Sequence, residues 1–477
     1  MRDDIMTGLK EECGVFGAYD FDGEDIASYI YYGLFALQHR GQENAGISVT
    51  KTDEDCRNVT FHKGQGLVNE VFDKKTLNSL KGNLGVGHVR YSTAGGLGIE
   101  CAQPFVIHYI KGILSMAHNG NLTNGAELKN ELAMTGAIFQ TTTDSEVIAY
   151  LIARERLHTL CIEDAVKSAT QKLQGAFSLV VSSPAKLIGA RDRFGFRPLC
   201  IGKKDNTYFL SSESAALDTI GAEFIRDVEP GEIVTIKDGK IESDYFAESK
   251  EKARCIFEYI YFARTDSCID GQSVYSSRVR AGELLAENYP ADADLVVGVP
   301  ESGLAAAVGY SQKSGIPYGM AFYKNSYVGR TFIKPKQNER TAGVKVKLNV
   351  ITEVVKGKRV VMVDDSIVRG TTIRNIVKML KEAGALEVHV RVSSPPFRYP
   401  CYYGTDVPSR DNLVAVNHTI EEIRESIDAD SLGYLDEKDL PELCPGLEFC
   451  DACFTGKYKG GIPSDPSKSG CCSSKLV

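Results

Sequence analysis

Residues 359–372, Arg-Val-Val-Met-Val-Asp-Asp-Ser-Ile-Val-Arg-Gly-Thr-Thr, constrain this chain more than any other stretch. Val360, Val361, Met362 and Val363 form a short apolar run rich in β-branched residues, which predicts a strand buried on both faces. The run ends abruptly in Asp364 and Asp365 and then in a small-residue loop from Ser366 to Thr372. Ile373, Ile376, Val377 and Leu380 follow with the spacing of one helix face, so the first turn of that helix should direct free N–H groups at the loop. Strand, acidic edge, loop and helix start make a ligand site on an open α/β sheet, and the helix start suits an anion. Ser366, Gly370, Thr371 and Thr372 offer hydroxyls and close backbone approach to a phosphate. Asp364 and Asp365 repel phosphate and therefore suit sugar hydroxyls or a magnesium ion. A phosphorylated ribose satisfies both halves.

At 477 residues the chain exceeds a single hydrophobic core and predicts two or three domains. The formal charge of -8 provides no positive footprint for nucleic acid, and no apolar run approaches bilayer thickness. A cytoplasmic protein with neither nucleic-acid nor membrane partners is expected. Residues 1–12 lack the apolar core of a secretory signal but remain compatible with a processed leader.

The 359–372 stretch resembles the phosphoribosyl-pyrophosphate motif of type I phosphoribosyltransferases. The resemblance implies an α/β domain with a mainly parallel sheet, Asp364 and Asp365 on the ribose hydroxyls, and the Ser366–Thr372 loop on the 5-phosphate. A second strand signal, Leu295 to Pro300, ends in Glu301-Ser302-Gly303 before an alanine-rich helix start and predicts a second anion site. In the resembled family this loop takes the pyrophosphate, and Ser302, Asp364 and Asp365 match magnesium positions. Between the two loops, residues 324–347 carry seven Lys or Arg residues (324, 330, 334, 336, 340, 345 and 347) against one acid, Glu339. That length and charge suit a lid that stabilises departing pyrophosphate and excludes water. By the resemblance, Arg340 and Lys347 are its contacts.

The first half carries four clusters: Cys13-Gly14-Val15-Phe16-Gly17 with Leu37-Gln38-His39-Arg40-Gly41-Gln42-Glu43; Gly87 to Thr93; Ala117 to Leu122; and Thr142 to Glu146. Each is expected to follow an apolar strand, so that several strand ends converge on one pocket. Together they resemble the glutamine amidotransferase domain of the N-terminal nucleophile hydrolases, over residues 13–240. The resemblance implies an α+β fold of layered α/β/β/α sheets. It also implies removal of residues 1–12, so that Cys13 is both nucleophile and, through an α-amino group of pKa about 8, its own base. Asn119 and Gly120 match the oxyanion donors. Arg90, helped by Thr93, matches the cation for the glutamine carboxylate, and Asp144 the anion for its ammonium. The strand-like stretches around 176–182, 191–199 and 209–214 receive no catalytic role, and Lys237-Asp238-Gly239-Lys240 reads as a hairpin end.

Of the thirteen cysteines, Cys56, Cys101, Cys161 and Cys200 sit singly in apolar surroundings and read as small buried hydrophobes. Cys450 and Cys453 form a C-x-x-C pair whose spacing leaves a redox pair, half a zinc site or an iron-sulfur site open. Joined in this order, the two halves resemble the amidophosphoribosyltransferase family, in its class with a cleaved leader and a [4Fe-4S] cluster. That resemblance assigns Cys255, Cys401, Cys450 and Cys453 to the cluster, with Cys444 a competitor and Cys471 and Cys472 unassigned. It implies a glutamine-dependent transfer of ammonia to phosphoribosyl pyrophosphate, giving 5-phosphoribosylamine at the first committed step of purine synthesis. Feedback by purine nucleotides and a homotetramer are family expectations. The expected division is 1–12 leader, 13–247 amidotransferase, 255–458 phosphoribosyltransferase with the cysteine segment, and 459–477 a disordered tail. Thr265, Glu301, Ser326 and Lys345 depart from the family pattern. A glucosamine-6-phosphate synthase would share the first half but not the 364–372 motif. A non-catalytic phosphoribosyl-pyrophosphate-sensing regulator would not need Cys13, Arg90, Asn119 and Asp144 together.

Overall fold

The computed structural model describes residues 13–52, 58–91, 98–248, 251–325, 348–405, 407 and 409–464. Alternation along the first strand, Gly14–Asp20, builds the first half from the middle outward. Val15 and Tyr19 point into a core shared with Val180, Leu187 and Val234 of a second sheet, while Phe16 and Ala18 point into a core shared with Ile30 and Leu34 of helix Ala27–Ala36. Gly17 lies on the inter-sheet side, where a Cβ would stand 2.6 Å from Val180, so the two sheets approach more closely there than any side chain allows.

The first sheet has seven strands, with Gly14–Asp20 between Thr207–Ser211 and Leu84–Arg90, both antiparallel to it. The second has six, including Gly112–Leu122 paired antiparallel with Gly175–Ser183. Helices Gly125–Met134, Asp144–Glu155 and Ile162–Thr170 cover its outer face through Leu128, Ile148, Ile152 and Val166. The layers are therefore α/β/β/α. The hairpin at Asp238-Gly239 forms with both residues at positive φ, 50° and 69°, the backbone a tight two-residue connection requires.

The second half is built on a four-stranded parallel sheet in the order Leu295–Gly298, Arg359–Asp364, Glu387–Val392, Ser431–Tyr434. Strand Arg359–Asp364 is buried on both faces: Val361 and Val363 join one core with Leu285 and Tyr310, Val360 and Met362 another with Ile376 and Leu380. Helix Thr371–Glu382 buries Ile373, Ile376, Val377 and Leu380, the four residues its spacing predicts. Helix Val274–Asn288 is capped by the Ser273 hydroxyl, which accepts from the Ser276 N–H.

Three expectations differ in detail. Asn119 and Gly120 lie within strand Gly112–Leu122 and not beyond it, and Asp144 opens a helix capped by Thr143. Asn119 and Asp144 are both buried there and do not face solvent. Cys101 and Cys200 are buried, but Cys161 is half-exposed and its thiol donates to Asp164 at 2.9 Å. The leader 1–12, Cys56, Thr93, Ser326, Arg340, Lys345, Lys347, most of the 324–347 lid, and tail residues 465–477 with Cys471 and Cys472 lie outside the described residues.

Candidate functional site

The antiparallel ladder sets the first site. Gly14 is the register partner of Val89, which brings Cys13 to the end of the ladder beside Arg90, and the Cys13 thiol donates to the Tyr91 carbonyl at 3.5 Å. Arg90 is itself opposite Asn44 on the other flank and only 3 % exposed. Across the inter-sheet gap, the His88 ring meets the His118 carbonyl at 3.1 Å and ties this corner to the strand carrying Asn119. Gln103 takes the His118 N–H on Oε1 at 2.7 Å, while the Ser145 hydroxyl lies 3.0 Å from His118 Nδ1, next to Asp144. The Leu122 N–H donates to Asp144 at 2.9 Å and seats that carboxylate at the start of its helix, where the helix dipole favours a negative charge.

Burial pulls the His88 imidazole down to about 3 and lowers His118 as well, so both rings are neutral supports at ordinary pH and not acid-base groups. Asn119 is 1 % exposed, and its Nδ2 donor is without a hydrogen-bond partner among the described residues. A buried amide donor left unmatched costs stability unless something else accepts from it. Gly120 has a φ of +141°, and a Cβ there would lie 2.1 Å from the Ala176 carbonyl oxygen, so no other residue fits beside Asn119. A thiol, an unmatched amide donor, a buried guanidinium and a buried carboxylate thus share one corner of the sandwich. That set can hold a zwitterionic amide substrate and stabilise a tetrahedral oxyanion.

The second site lies at the carboxyl ends of Leu295–Gly298 and Arg359–Asp364, neighbours in the parallel sheet. The Ser302 hydroxyl donates to Asp365 Oδ1 at 2.5 Å and the Ser366 hydroxyl to Oδ2 at 2.5 Å, so one carboxylate joins the two loops. Gly303 permits this approach: a Cβ would meet the Val363 carbonyl at 2.4 Å. Burial, and then the neighbouring Asp365 carboxylate, push the Asp364 carboxyl well above its usual range. Gly370, at φ +80°, caps helix Thr371–Glu382, whose half-exposed and exposed first residues Thr372 and Thr371 open onto the loop. Glu301 is exposed and pairs with Lys324 at 3.2 Å, and the Pro300–Glu301 peptide is cis.

Cys255, Cys401, Cys450 and Cys453 line one cavity, walled by Phe196, Phe257, Phe397 and Tyr458. Strand Arg254–Cys255 pairs in parallel with Phe449–Cys450 and makes Cys255 the register partner of Cys450. Burial and then the thiols of Cys401, Cys255 and Cys450 push the Cys453 thiol well above the ordinary value, so these sulfurs lie near one another; Cys450 is buried and the other three are half-buried. Among the described residues no group of three or more His, Cys, Asp or Glu side chains is placed to hold a metal ion. The four thiols that line the cavity are the donor type an iron-sulfur group takes. Cys444 is elsewhere, 3.8 Å from the Ser277 hydroxyl, and does not line this cavity.

Spacing missed the groups joining the halves. Arg40, in a motif without an assigned role, donates to the Cys13 carbonyl at 3.1 Å and to Glu213 and Glu258 at 2.6 and 2.7 Å. Arg191, expected to be merely structural, forms a two-pronged ion pair with Asp270 of the second half, 2.8 Å on each prong. For Arg191 the sequence signal is the apolar strand Lys186–Arg191 that it ends, since a charge carried into a buried strand has to be paired; Arg40 sits in a polar turn and carries no such signal.

A family model described as a glutamine amidotransferase domain matches residues 89–219, and one described as a phosphoribosyl transferase domain matches residues 279–395. The chain is 50% identical over 461 residues to the amidophosphoribosyltransferase of Methanocaldococcus jannaschii, covering 94% of this chain and 97% of that one. It is 48% identical over 468 residues to that of Bacillus subtilis, covering 96% of each. A solved structure of an allosteric regulatory enzyme of purine biosynthesis superposes with a TM-score of 0.89 at 46% identity, over 95% of this chain and 97% of that one. The B. subtilis glutamine phosphoribosylpyrophosphate amidotransferase, complexed with ADP and GMP, gives 0.88 at 46% identity over 95% and 98%.

Proposed function

Because the chain belongs to the amidophosphoribosyltransferase family, a transferase family of purine biosynthesis, we propose the residues that carry out its glutamine-dependent transfer of ammonia to phosphoribosyl pyrophosphate. The observation that supports the assignment most directly is the Ser302–Asp365 hydrogen bond of 2.5 Å, which draws the loops of two adjacent parallel strands into one site.

At the first site, removal of residues 1–12 frees the α-amino group of Cys13, which takes the thiol proton as the sulfur attacks the glutamine amide. The Asn119 Nδ2 donor and the Gly120 N–H meet the oxyanion. Arg90, with Thr93, holds the substrate carboxylate, and Asp144 its ammonium. Ammonia leaves, and water hydrolyses the thioester to glutamate.

At the second site, Asp364 and Asp365 take the ribose hydroxyls. Ser366, Gly370, Thr371 and Thr372 take the 5-phosphate at the helix N-terminus. The Glu301-Ser302-Gly303 loop takes the pyrophosphate, the Glu301 carboxylate being turned to Lys324, with Arg340 and Lys347 closing over it. Ammonia adds to carbon 1 of the ribose as pyrophosphate departs, and 5-phosphoribosylamine results. Ser302, Asp364 and Asp365 suit magnesium, which commonly binds through one or two carboxylates plus substrate phosphates, so three protein carboxylates are not required. When bound it would neutralise pyrophosphate charge. Ammonia must reach this site before it is protonated in bulk water, and Tyr261, on the helical turn Glu258–Phe262, is proposed to line a water-poor passage.

Cys255, Cys401, Cys450 and Cys453 suit a [4Fe-4S] cluster. It would cross-link three separated segments of the second half and act structurally. Purine nucleotides are proposed as feedback inhibitors, supported by the ADP and GMP held by the B. subtilis relative. We also propose a homotetramer in the cytoplasm, and among the described residues no helix is long and apolar enough to cross a membrane.

The test is glutaminase activity with and without phosphoribosyl pyrophosphate, alongside the intact mass of the mature chain. Expected are activity that rises with the sugar and a chain beginning at Cys13. An active chain that still carries residues 1–12 would refute the self-base mechanism.

A further inference from the structure

The strand that carries Asn119 and Gly120 ends against the second half of the chain, and the contact is made at Asn121, a residue without an assigned role. Side chains alternate along Gly112–Leu122, so Ala117, Asn119 and Asn121 share one face. Ala117 lies in the core between the two sheets, which places Asn119 and Asn121 on the inter-sheet side. The Asn121 Nδ2 donates to the Tyr402 carbonyl at 2.9 Å, across 281 residues of sequence. Its register partner Ala176 is buried in one cluster with Tyr402, Tyr403, Cys450 and Ala452.

Gly120 is confined on two sides. On its own sheet a Cβ would lie 2.1 Å from the Ala176 carbonyl oxygen, and its φ of +141° is one that few residues other than glycine adopt. From the second half, Gly404 approaches so closely that a Cβ there would stand 3.2 Å from the Gly120 carbonyl carbon and 3.0 Å from Arg197 Nη2. Arg197 is 1 % exposed and holds that approach: its guanidinium donates to the Tyr403 carbonyl through Nε at 3.1 Å and also through Nη2. Tyr403 in turn stacks on Phe196, ring centroids 4.3 Å apart, and its hydroxyl accepts from the Gly460 N–H at 2.8 Å. Residues 402–404 therefore form a wall behind the oxyanion corner, and Asn121 is the side chain that fastens the corner to it.

We propose that Asn121 is a positioning residue for glutamine hydrolysis: its bond to the Tyr402 carbonyl holds Gly120 in the backbone conformation that aims the Gly120 N–H, with the Asn119 amide, at the oxyanion. This rests on the assignment of the first site above. An oxyanion donor acts only at about 2.7–3.1 Å from the place where charge develops. A glycine, however, has a wide choice of backbone conformations. A side-chain bond one residue away removes that choice. The carbonyl it uses belongs to a segment that the Arg197 guanidinium already grips, so the tether is anchored at both ends. It lies outside the set assigned to the glutamine carboxylate and ammonium, and so acts on the transition state and not on ground-state binding.

Two variants of the full chain test this, one on each side of the contact. Asn121→Ala deletes the tether, and Gly404→Ala presses a Cβ towards Gly120 and Arg197. Read for each are kcat and KM for glutamine, the ammonia-dependent rate of synthesis and the thermal midpoint. Asn121→Ala is expected to lower kcat for glutamine about tenfold to a hundredfold, the scale on which misplacement of a catalytic group acts, with KM within about twofold of the parent. Its ammonia-dependent rate should equal that of the parent, and its thermal midpoint should fall by no more than about 4 °C, the loss of one hydrogen bond. Gly404→Ala should show the same split. A glutamine kcat within about threefold of the parent in Asn121→Ala, a raised KM at unchanged kcat, or an ammonia-dependent rate that falls in parallel would overturn the role of Asn121. If Gly404→Ala fails to fold, Asn121→Ala decides alone. Asn119→Ala, run alongside, separates the two assignments. A glutamine kcat equal to the parent's in that variant refutes the first site itself, whereas a loss there without a loss in Asn121→Ala refutes only the tether.

Discussion

Asn119→Ala separates a catalytic donor from a structural one, because its two consequences differ by orders of magnitude. Asn119 is 1 % exposed, and its Nδ2 has no partner among the described residues, so removing that donor breaks no bond in the resting protein. The backbone pairing of residue 119 with Ser178 is untouched. The stability cost is then the void of one amide group, on the order of 1 kcal/mol, which lowers the thermal midpoint of a domain this size by about 2–4 °C. An oxyanion donor, in contrast, is worth about 100- to 1000-fold in kcat, or ~2.7–4 kcal/mol. Glutamine-dependent synthesis should therefore fall by at least a hundredfold while ammonia-dependent synthesis, which bypasses the first site, keeps its rate. Both rates can be measured on one preparation at saturating phosphoribosyl pyrophosphate, with calorimetry alongside. A glutamine-dependent rate within tenfold of the parent, or an ammonia-dependent rate that falls with it, would show that Asn119 is not the donor.

Cys401→Ser should strip iron from protein purified without oxygen and lower its resistance to heat; iron content equal to that of the parent would exclude Cys401 as a ligand. Burial and then Asp270 push the Asp227 carboxyl up to about 7, against the pull of Arg191, so the folded state holds this proton more tightly than the unfolded chain. Its penalty is absent below the unfolded pKa of about 4, grows as pH rises towards 7 and is complete above. Asp227→Asn should therefore stabilise the protein at pH 8 by on the order of 1–3 kcal/mol and change little at pH 4; equal urea midpoints for variant and parent at pH 8 would contradict this. Gly303→Ala places a Cβ 2.4 Å from the Val363 carbonyl and must push the two second-site loops apart. Expected is a KM for phosphoribosyl pyrophosphate raised about tenfold or more, the scale on which small misplacements of binding groups act, with glutaminase activity in the absence of that sugar retained; an unchanged KM would count against the role of that close approach.

Local patterns determined much of this protein. The apolar run ending at Asp364 becomes the central strand, and helix Thr371–Glu382 buries the four residues its spacing names, because both elements are decided by which faces must leave water. The Asp238-Gly239 turn was equally legible, since its left-handed backbone is a local preference of those two residues. Cys255 and Cys450 were paired only by resemblance, and the fold makes them register partners on adjacent strands.

What tertiary structure alone decided are the connections between distant segments. Arg40 and Glu213 look like ordinary surface charges in their own stretches, yet both are buried, and Arg40 pairs with Glu213 and Glu258 from distant parts of the chain. No periodicity encodes such a pair, because the free energy that keeps a charge out of water depends on a partner that may lie two hundred residues away. The candidate sites were read from strand ends and motifs. The bonds that Arg40 and Arg278 make to residues 258–263 exist only once the chain has folded around them.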